Sequence, residues 1–108
     1  MPQEESGGRW IRVASAEALE TTLSVDVDGH PVALFRTEDG VFALDDICSH
    51  EYSLLSEGEV FQGEVYCQKH GSRFSLKTGA VTGLPATQPV RTYVVKTEDG
   101  GIWIQWRS

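Results

Sequence analysis

The sequence has little cysteine and few cations. Only two cysteines occur among 108 residues, so at most one disulfide could form. A chain of this length with 40% hydrophobic residues can form the core of one domain without disulfides. No run of 18 apolar residues is present, which predicts no membrane-spanning helix. Nine lysines and arginines against 16 acidic residues leave a net charge of −7, so we expect neither nucleic acid nor an anionic membrane as a partner.

The first eight residues, 1–8, are polar and acidic. They lack the basic segment followed by an apolar segment that is typical of a secretory signal. We interpret them as a loose tail. Because excess charge of one sign favours solubility and disfavours self-association, the sequence predicts a monomeric cytoplasmic protein with a single domain, residues 1–108.

Alternating apolar and polar residues predict an all-β fold. Leu23, Val25 and Val27 alternate with polar residues, which is the period of a half-buried strand. Three Asp-Gly pairs, at 28–29, 39–40 and 99–100, interrupt apolar runs. Both residue types tolerate the positive φ of tight turns, so each pair predicts a β-hairpin. Further strands are predicted at 10–14, 32–35, 41–44, 90–96 and 102–106.

Residues 46–88 differ from the segments on both sides of them. Glycines and prolines are scattered through this region, and its predicted strands are short. Both cysteines and two of the three histidines lie there. These features predict a small cluster-binding subdomain inserted into a β base formed by 9–45 and 89–108. A bound metal would stabilise such a region, because the free energy of metal binding becomes free energy of folding.

Four residues of this region have the spacing of metal ligands. The pattern is Cys48-x-His50, then 16 residues, then Cys67-x-x-His70. Two thiolates and two imidazoles can hold a Rieske-type [2Fe–2S] cluster, in which two histidines replace two cysteines on one iron. The same ligands suit tetrahedral zinc, and a disulfide between the cysteines is a third alternative.

The sequence around these four residues resembles the Rieske family, and within it the small ferredoxins of bacterial aromatic-ring-hydroxylating dioxygenase systems. The matching stretches are CSHEYSLLSEG at 48–58 and CQKHGSRFSLKTGAVTGLPAT at 67–87. Gly71 and Phe74 follow the second histidine as in the family pattern C-x-x-H-G-x-x-F. The resemblance covers nearly the whole chain. It implies the Rieske fold, with an antiparallel β-sandwich or barrel-like base.

The resemblance also implies a cofactor and partners. One Rieske-type [2Fe–2S] cluster per chain would be held by Cys48, His50, Cys67 and His70. The cysteines would hold the buried iron, and the histidines would hold the outer iron near solvent. Such a ferredoxin carries one electron from a flavin-containing reductase to a terminal oxygenase, with transient docking near the two histidines. The oxygenase then acts on an aromatic hydrocarbon, so the ferredoxin itself is not an enzyme.

The resemblance further implies a low reduction potential. Respiratory relatives have a second cysteine pair in the loops and a tyrosine whose hydroxyl donates to the cluster. This chain has Ser53 and Lys69 in the two loops and Phe74 at the tyrosine position, whereas Ser72 matches a serine donor. Fewer donors leave more electron density on sulfur, so we expect a potential toward the low end of the Rieske range, about −150 mV.

Two other functions remain open from the residues alone. One is a zinc-stabilised Cys2His2 binding module, and the other is a small redox subunit of a nitrite-reductase-like enzyme. His30 follows an Asp-Gly turn with no cysteine nearby, so we interpret it as a surface histidine rather than a ligand. Acidic residues, including Asp45 and Asp46, precede the acid-free stretch 65–97. These charges fit an ordinary solvated surface, and the functional alternative is a docking face with acidic and basic edges around the site.

Overall fold

The computed structural model describes residues 9–48, 53–68, 71–84, 86 and 88–106. This part of the chain forms eleven strands and two short 3₁₀ helices. The strands are β1 (Arg9–Ser15), β2 (Thr22–Val27), β3 (His30–Thr37), β4 (Gly40–Asp45), β5 (Glu59–Phe61), β6 (Glu64–Tyr66), β7 (Arg73–Ser75), β8 (Val81–Gly83), β9 (Thr92–Tyr93), β10 (Val95–Glu98) and β11 (Gly101–Trp106). The 3₁₀ helices are Ala16–Ala18 and Leu55–Glu57. Within the described ranges, no helix is long and apolar enough to cross a membrane.

The strands pair into three antiparallel sheets. Their orders are β1-β11-β10, β2-β3-β4-β9 and β5-β6-β7-β8. The third sheet is built from residues between 59 and 83. The chain therefore leaves the second sheet after β4 and returns to it at β9, and this excursion carries both cysteines. The all-β prediction is confirmed.

All three Asp-Gly pairs connect antiparallel neighbours, as predicted. At 28–29 both residues have positive φ, 55° and 81°, and at 99–100 the values are 54° and 74°. Positive φ at both central residues is the feature that matches a tight turn to the twist of a hairpin. A fourth hairpin, between β5 and β6, has the same feature at Gln62 and Gly63, with φ of 53° and 80°.

Strand β3 is buried on both of its faces. Val32 and Leu34 pack into a core that includes residues of β11, in the first sheet. Their neighbours Ala33 and Phe35 pack into a second core that includes both cysteines. Because successive side chains of a strand point to opposite faces, this apolar run contributes to both cores. The second sheet therefore packs one of its faces against each core.

One predicted strand is divided in the structure. The sequence predicted a continuous strand at 90–96, but β9 and β10 belong to different sheets, with the exposed Val94 between them. Strand β9 pairs with β4, and β10 pairs with β11. The single-strand prediction is wrong, because a run of β-forming residues does not show which neighbour each of them pairs with. Strand β5 was not predicted, and its three residues are all exposed.

Candidate metal centre

The first cysteine-bearing loop begins where the chain leaves β4. Ile47 forms an isolated antiparallel bridge with Leu54. The next amide, that of Cys48, donates a hydrogen bond to the carbonyl oxygen of Ser53 over 2.8 Å. Two successive cross-loop pairings therefore hold Cys48 at the base of the loop.

The second loop joins the end of β6 to the start of β7. The amide of Cys67 donates to the carbonyl of Ser72 over 2.6 Å, and the amide of Gly71 donates back to the Cys67 carbonyl over 2.9 Å. Gly71 has a φ of 80°, which favours glycine. In both loops the cysteine amide bonds to the carbonyl five residues further along. The two cysteines thus occupy equivalent backbone settings.

Both cysteine side chains are buried, with relative exposures of 3% for Cys48 and 2% for Cys67. They belong to the same core cluster, which also contains Leu55, Phe74 and Ala86. Soft thiolate sulfurs that converge in a region shielded from water are suitable ligands for iron–sulfur clusters and for zinc. The described part of the site therefore supplies half of the predicted ligand set.

A third segment is joined to the second loop through Ser72. The Ser72 side chain is fully buried, and its Oγ accepts a hydrogen bond from the Ala86 amide over 3.0 Å. A hydroxyl group that accepts one hydrogen bond still carries its own hydrogen for donation. The Ser72 hydroxyl therefore keeps a hydrogen that it can donate to a second partner.

The other half of the predicted ligand set, His50 and His70, lies outside the residues that the structure describes. The loop residue Lys69 lies outside them as well. The two cysteines are brought into one core cluster, and the complete set of four ligands stays a prediction.

Sequence reasoning missed the role of Asp46, two residues before Cys48. Its side chain is fully buried. One carboxylate oxygen accepts from the Ser56 amide over 2.7 Å, and the other accepts from the hydroxyls of Ser24 and Ser56 over 2.6 and 2.9 Å. The carboxylate therefore ties the first loop both to β2 and to the segment that follows the loop. In the sequence it is an acid directly after a strand and two residues before a cysteine, a pattern that does not distinguish a buried carboxylate from an exposed one.

Asp45 is bonded to two side chains of the β base. Its Oδ1 lies 2.8 Å from His30 Nε2 and accepts a hydrogen bond from the Tyr93 hydroxyl over 2.5 Å. Burial, followed by the hydrogen bond to Asp45, raises the pKa of Tyr93 above its ordinary value. The His30 side chain is 43% exposed. His30 is a partly exposed histidine paired with a carboxylate, in line with its interpretation as a surface residue.

Several charged residues near the first cysteine are buried or paired in the structure. Asp46 is buried, and Asp45 is held by His30 and Tyr93. Arg73 Nη1 lies 3.9 Å from the Oε1 of Glu64, so opposite charges meet across β6 and β7. Strand pairing places these two residues side by side although they are distant in sequence, and the acidic and basic docking edges around the site stay a prediction.

Comparison with protein-family models decides which cofactor this arrangement binds. Residues 9–94 match the model of the Rieske [2Fe-2S] domain. The chain belongs to the Rieske family. Its cofactor is a Rieske-type [2Fe–2S] cluster, which this family holds with two cysteines and two histidines. The match favours the cluster over the zinc alternative, and the buried cysteine pair fits it.

Individual Rieske proteins are similar over most of their length. The ferredoxin component of the naphthalene 1,2-dioxygenase system of Pseudomonas putida is 37% identical over 93 residues, which cover 84% of this chain and 89% of the relative. The ferredoxin of carbazole 1,9a-dioxygenase from Nocardioides aromaticivorans IC177 has a TM-score of 0.82 at 35% identity, with 88% of this chain and 95% of that chain covered. The Rieske-fold prediction is confirmed.

A further similar structure contains a partner. It is a complex of reduced oxygenase and oxidized ferredoxin in carbazole 1,9a-dioxygenase, and the matched chain has a TM-score of 0.82 at 29% identity. The match covers 89% of this chain and 92% of that chain. A ferredoxin with this fold therefore forms a complex with the oxygenase of its own system.

Proposed function

We propose that this protein is the ferredoxin component of an aromatic-ring-hydroxylating dioxygenase system. It carries single electrons from a flavin-containing reductase to a terminal oxygenase, and it does not itself catalyse hydroxylation. The observation that carries the proposal is the pair of equivalent loops, each with a buried cysteine at its base, in a chain whose residues 9–94 match the Rieske domain. When bound, the cluster accepts and releases one electron.

The proposed ligands are Cys48, His50, Cys67 and His70. Cys48 and Cys67 would hold the inner iron, because their thiolates offset ferric charge inside a core from which water is excluded. The two histidines would hold the outer iron, and their side of the cluster would be the docking surface. The fit rests on the donor set and on the burial of the two cysteines described above.

The proposed reduction potential is toward the low end of the Rieske range, about −150 mV. Phe74 is fully buried in the core of the cysteines and has no hydroxyl group. Ser72, whose Oγ accepts from the Ala86 amide, is the proposed hydroxyl donor to the cluster. One donor in place of two leaves more electron density on the sulfur atoms, which disfavours reduction.

The proposal includes an organisation and a location. The domain spans 1–108, with 1–8 as a tail, 9–45 and 89–108 as the β base, and 46–88 as the cluster-binding subdomain. Burial of both cysteines at a predicted metal centre supports ligand chemistry over a disulfide, and such cysteines are typical of the cytoplasm. We propose that the protein is monomeric, because transient electron-transfer complexes need one accessible docking surface.

The test uses the holoprotein and four single substitutions, Cys48→Ser, His50→Ala, Cys67→Ser and His70→Ala, with His30→Ala as the matched control. We expect a red-brown wild-type protein that dithionite bleaches, with one electron taken up per chain. Each of the four variants should lose the visible spectrum. His30→Ala should keep the spectrum, because His30 is not one of the proposed ligands. Its Nε2 lies 2.8 Å from Asp45 Oδ1.

Three results would contradict the proposal. They are a colourless protein that binds zinc, a retained spectrum in any of the four ligand variants, and uptake of two electrons per chain. A midpoint potential above 0 mV would contradict the low-potential part alone. A reductase from a naphthalene dioxygenase system, supplied with NADH, tests whether such a reductase can give its electron to this protein. We expect this reductase to bleach the holoprotein.

A further inference from the structure

The Asp46 carboxylate is a buried negative charge beside the cluster-binding region. Asp46 is fully buried, and the three groups that donate to it are the Ser56 amide and the hydroxyls of Ser24 and Ser56. Among the residues that the structure describes, no lysine, arginine or histidine pairs with Asp46. Within the described residues, its charge is therefore solvated by dipoles of the protein and not by a cation.

The position of this charge relative to Cys48 is set by the backbone. One residue, Ile47, separates Asp46 from Cys48, which limits their Cα distance to about 7 Å. Interior charges are screened far less than surface charges, because little water lies between them. A negative charge held this close to a ligand cysteine opposes the addition of an electron to the centre that the cysteine binds.

We infer that Asp46 is a tuning residue, whose buried carboxylate lowers the reduction potential of the cluster in addition to positioning the first loop. This inference rests on the proposed ligand set, because it requires Cys48 to bind the cluster. It differs from the effect of Phe74 and Ser72, which acts through hydrogen bonds to sulfur. Asp46 acts through its charge, and the charge can be removed without changing the shape of the side chain.

The positioning role and the tuning role make different predictions for two substitutions. Asp46→Asn removes the charge and keeps a side chain of the same shape that can still bond to Ser24 and Ser56. Ser24→Ala keeps the charge but removes the hydroxyl that donates over 2.6 Å. Ser24 is exposed on β2, so the alanine is compatible with the strand. Tuning predicts shifts of opposite sign, whereas a positioning role alone predicts no such pattern.

The experiment is redox titration of the holoproteins at one pH and ionic strength. Visible spectroscopy and electron paramagnetic resonance monitor the fraction of reduced cluster. We expect Asp46→Asn to favour the reduced form by about tenfold, which is an upward shift of about 59 mV for a one-electron couple. Ser24→Ala should shift the midpoint downward, because one dipole that offsets the carboxylate is lost. Asp26→Asn, which removes an exposed charge on the same strand, is the matched control and should leave the midpoint nearly unchanged.

A midpoint of Asp46→Asn equal to that of the wild type would overturn the inference, as would equal shifts in Asp46→Asn and Asp26→Asn. If Asp46→Asn does not retain the cluster, Ser24→Ala decides, and an unchanged or raised midpoint in that variant counts against tuning. Failure of the proposed ligand set gives a different result, since Cys48→Ser would then keep the cluster spectrum.

Discussion

Gly58 provides a sharp test of how the β5–β6 hairpin controls the second cysteine. It follows the 3₁₀ helix Leu55–Glu57 and directly precedes β5. A Cβ atom added at Gly58 would lie 1.9 Å from the carbonyl oxygen of Tyr66, the residue before Cys67. Gly58 has a φ of −89°, which any residue adopts, so space alone requires glycine here.

The cost of Gly58→Ala follows from this distance. Real Cβ contacts essentially never fall under 3.0 Å, so the two backbone segments must separate by at least 1.1 Å, the difference between 3.0 and 1.9 Å. Overpacking typically costs about 1–3 kcal/mol, and we expect the upper end because the obstacle is backbone. At about 4–8 °C per kcal/mol, a cost of about 3 kcal/mol should lower the thermal midpoint by roughly 12–24 °C.

The assay is thermal unfolding by circular dichroism at a fixed scan rate, with cluster retention followed by visible absorbance. Gly63→Ala is the control within the same hairpin. Gly63 has a φ of 80° and no atom within 4 Å of an added Cβ, so its substitution costs only the backbone strain of about 1–2 kcal/mol. Gly58→Ala should lose the cluster faster than Gly63→Ala, because it displaces the carbonyl next to Cys67. Equal midpoints and equal cluster retention in the two variants would show that the contact between position 58 and the Tyr66 carbonyl does not control the second cysteine.

Two further predictions concern hydroxyl groups. Tyr93→Phe removes the hydroxyl that donates to Asp45. Folding raises the pKa of Tyr93, so the Tyr93 hydroxyl stabilises the wild type below about pH 10, and this stabilisation is lost as the pH rises further. The urea midpoint should therefore fall less between pH 8 and pH 11 in Tyr93→Phe than in the wild type, and parallel profiles would contradict this. Ser72→Ala should lower the midpoint potential and destabilise the protein by about 1–3 kcal/mol, because the buried Ala86 amide loses its acceptor. Redox titration and urea unfolding check this prediction. The control is Ser75→Ala, because the Ser75 Oγ accepts from the Thr78 amide at an exposed turn. An unchanged potential in fully loaded Ser72→Ala counts against the prediction.

Features that depend on neighbouring residues could be predicted from the amino-acid sequence. Alternation in β2 and the Asp-Gly pairs predicted strands and hairpins, because the side-chain period and the tolerance for positive φ are properties of a few consecutive residues. The spacing of Cys48 and Cys67 from their histidines, with the surrounding motif, pointed to the Rieske family for the same reason. The hairpin at Gln62 was missed, since glutamine is not a usual signal for this turn.

Which residues meet across the chain could be seen only in the fold. Asp46 reads as a surface charge, yet it is fully buried by contacts with Ser24 and Ser56, which lie 22 and 10 residues away. The division of 90–96 between two sheets likewise depends on pairing with β4 and β11, which are remote in sequence. Whether a polar side chain faces water or a set of buried donors is fixed by the packing of distant segments, and no local pattern records it. The two cysteines were visible in the sequence, whereas the buried carboxylate beside one of them required the fold.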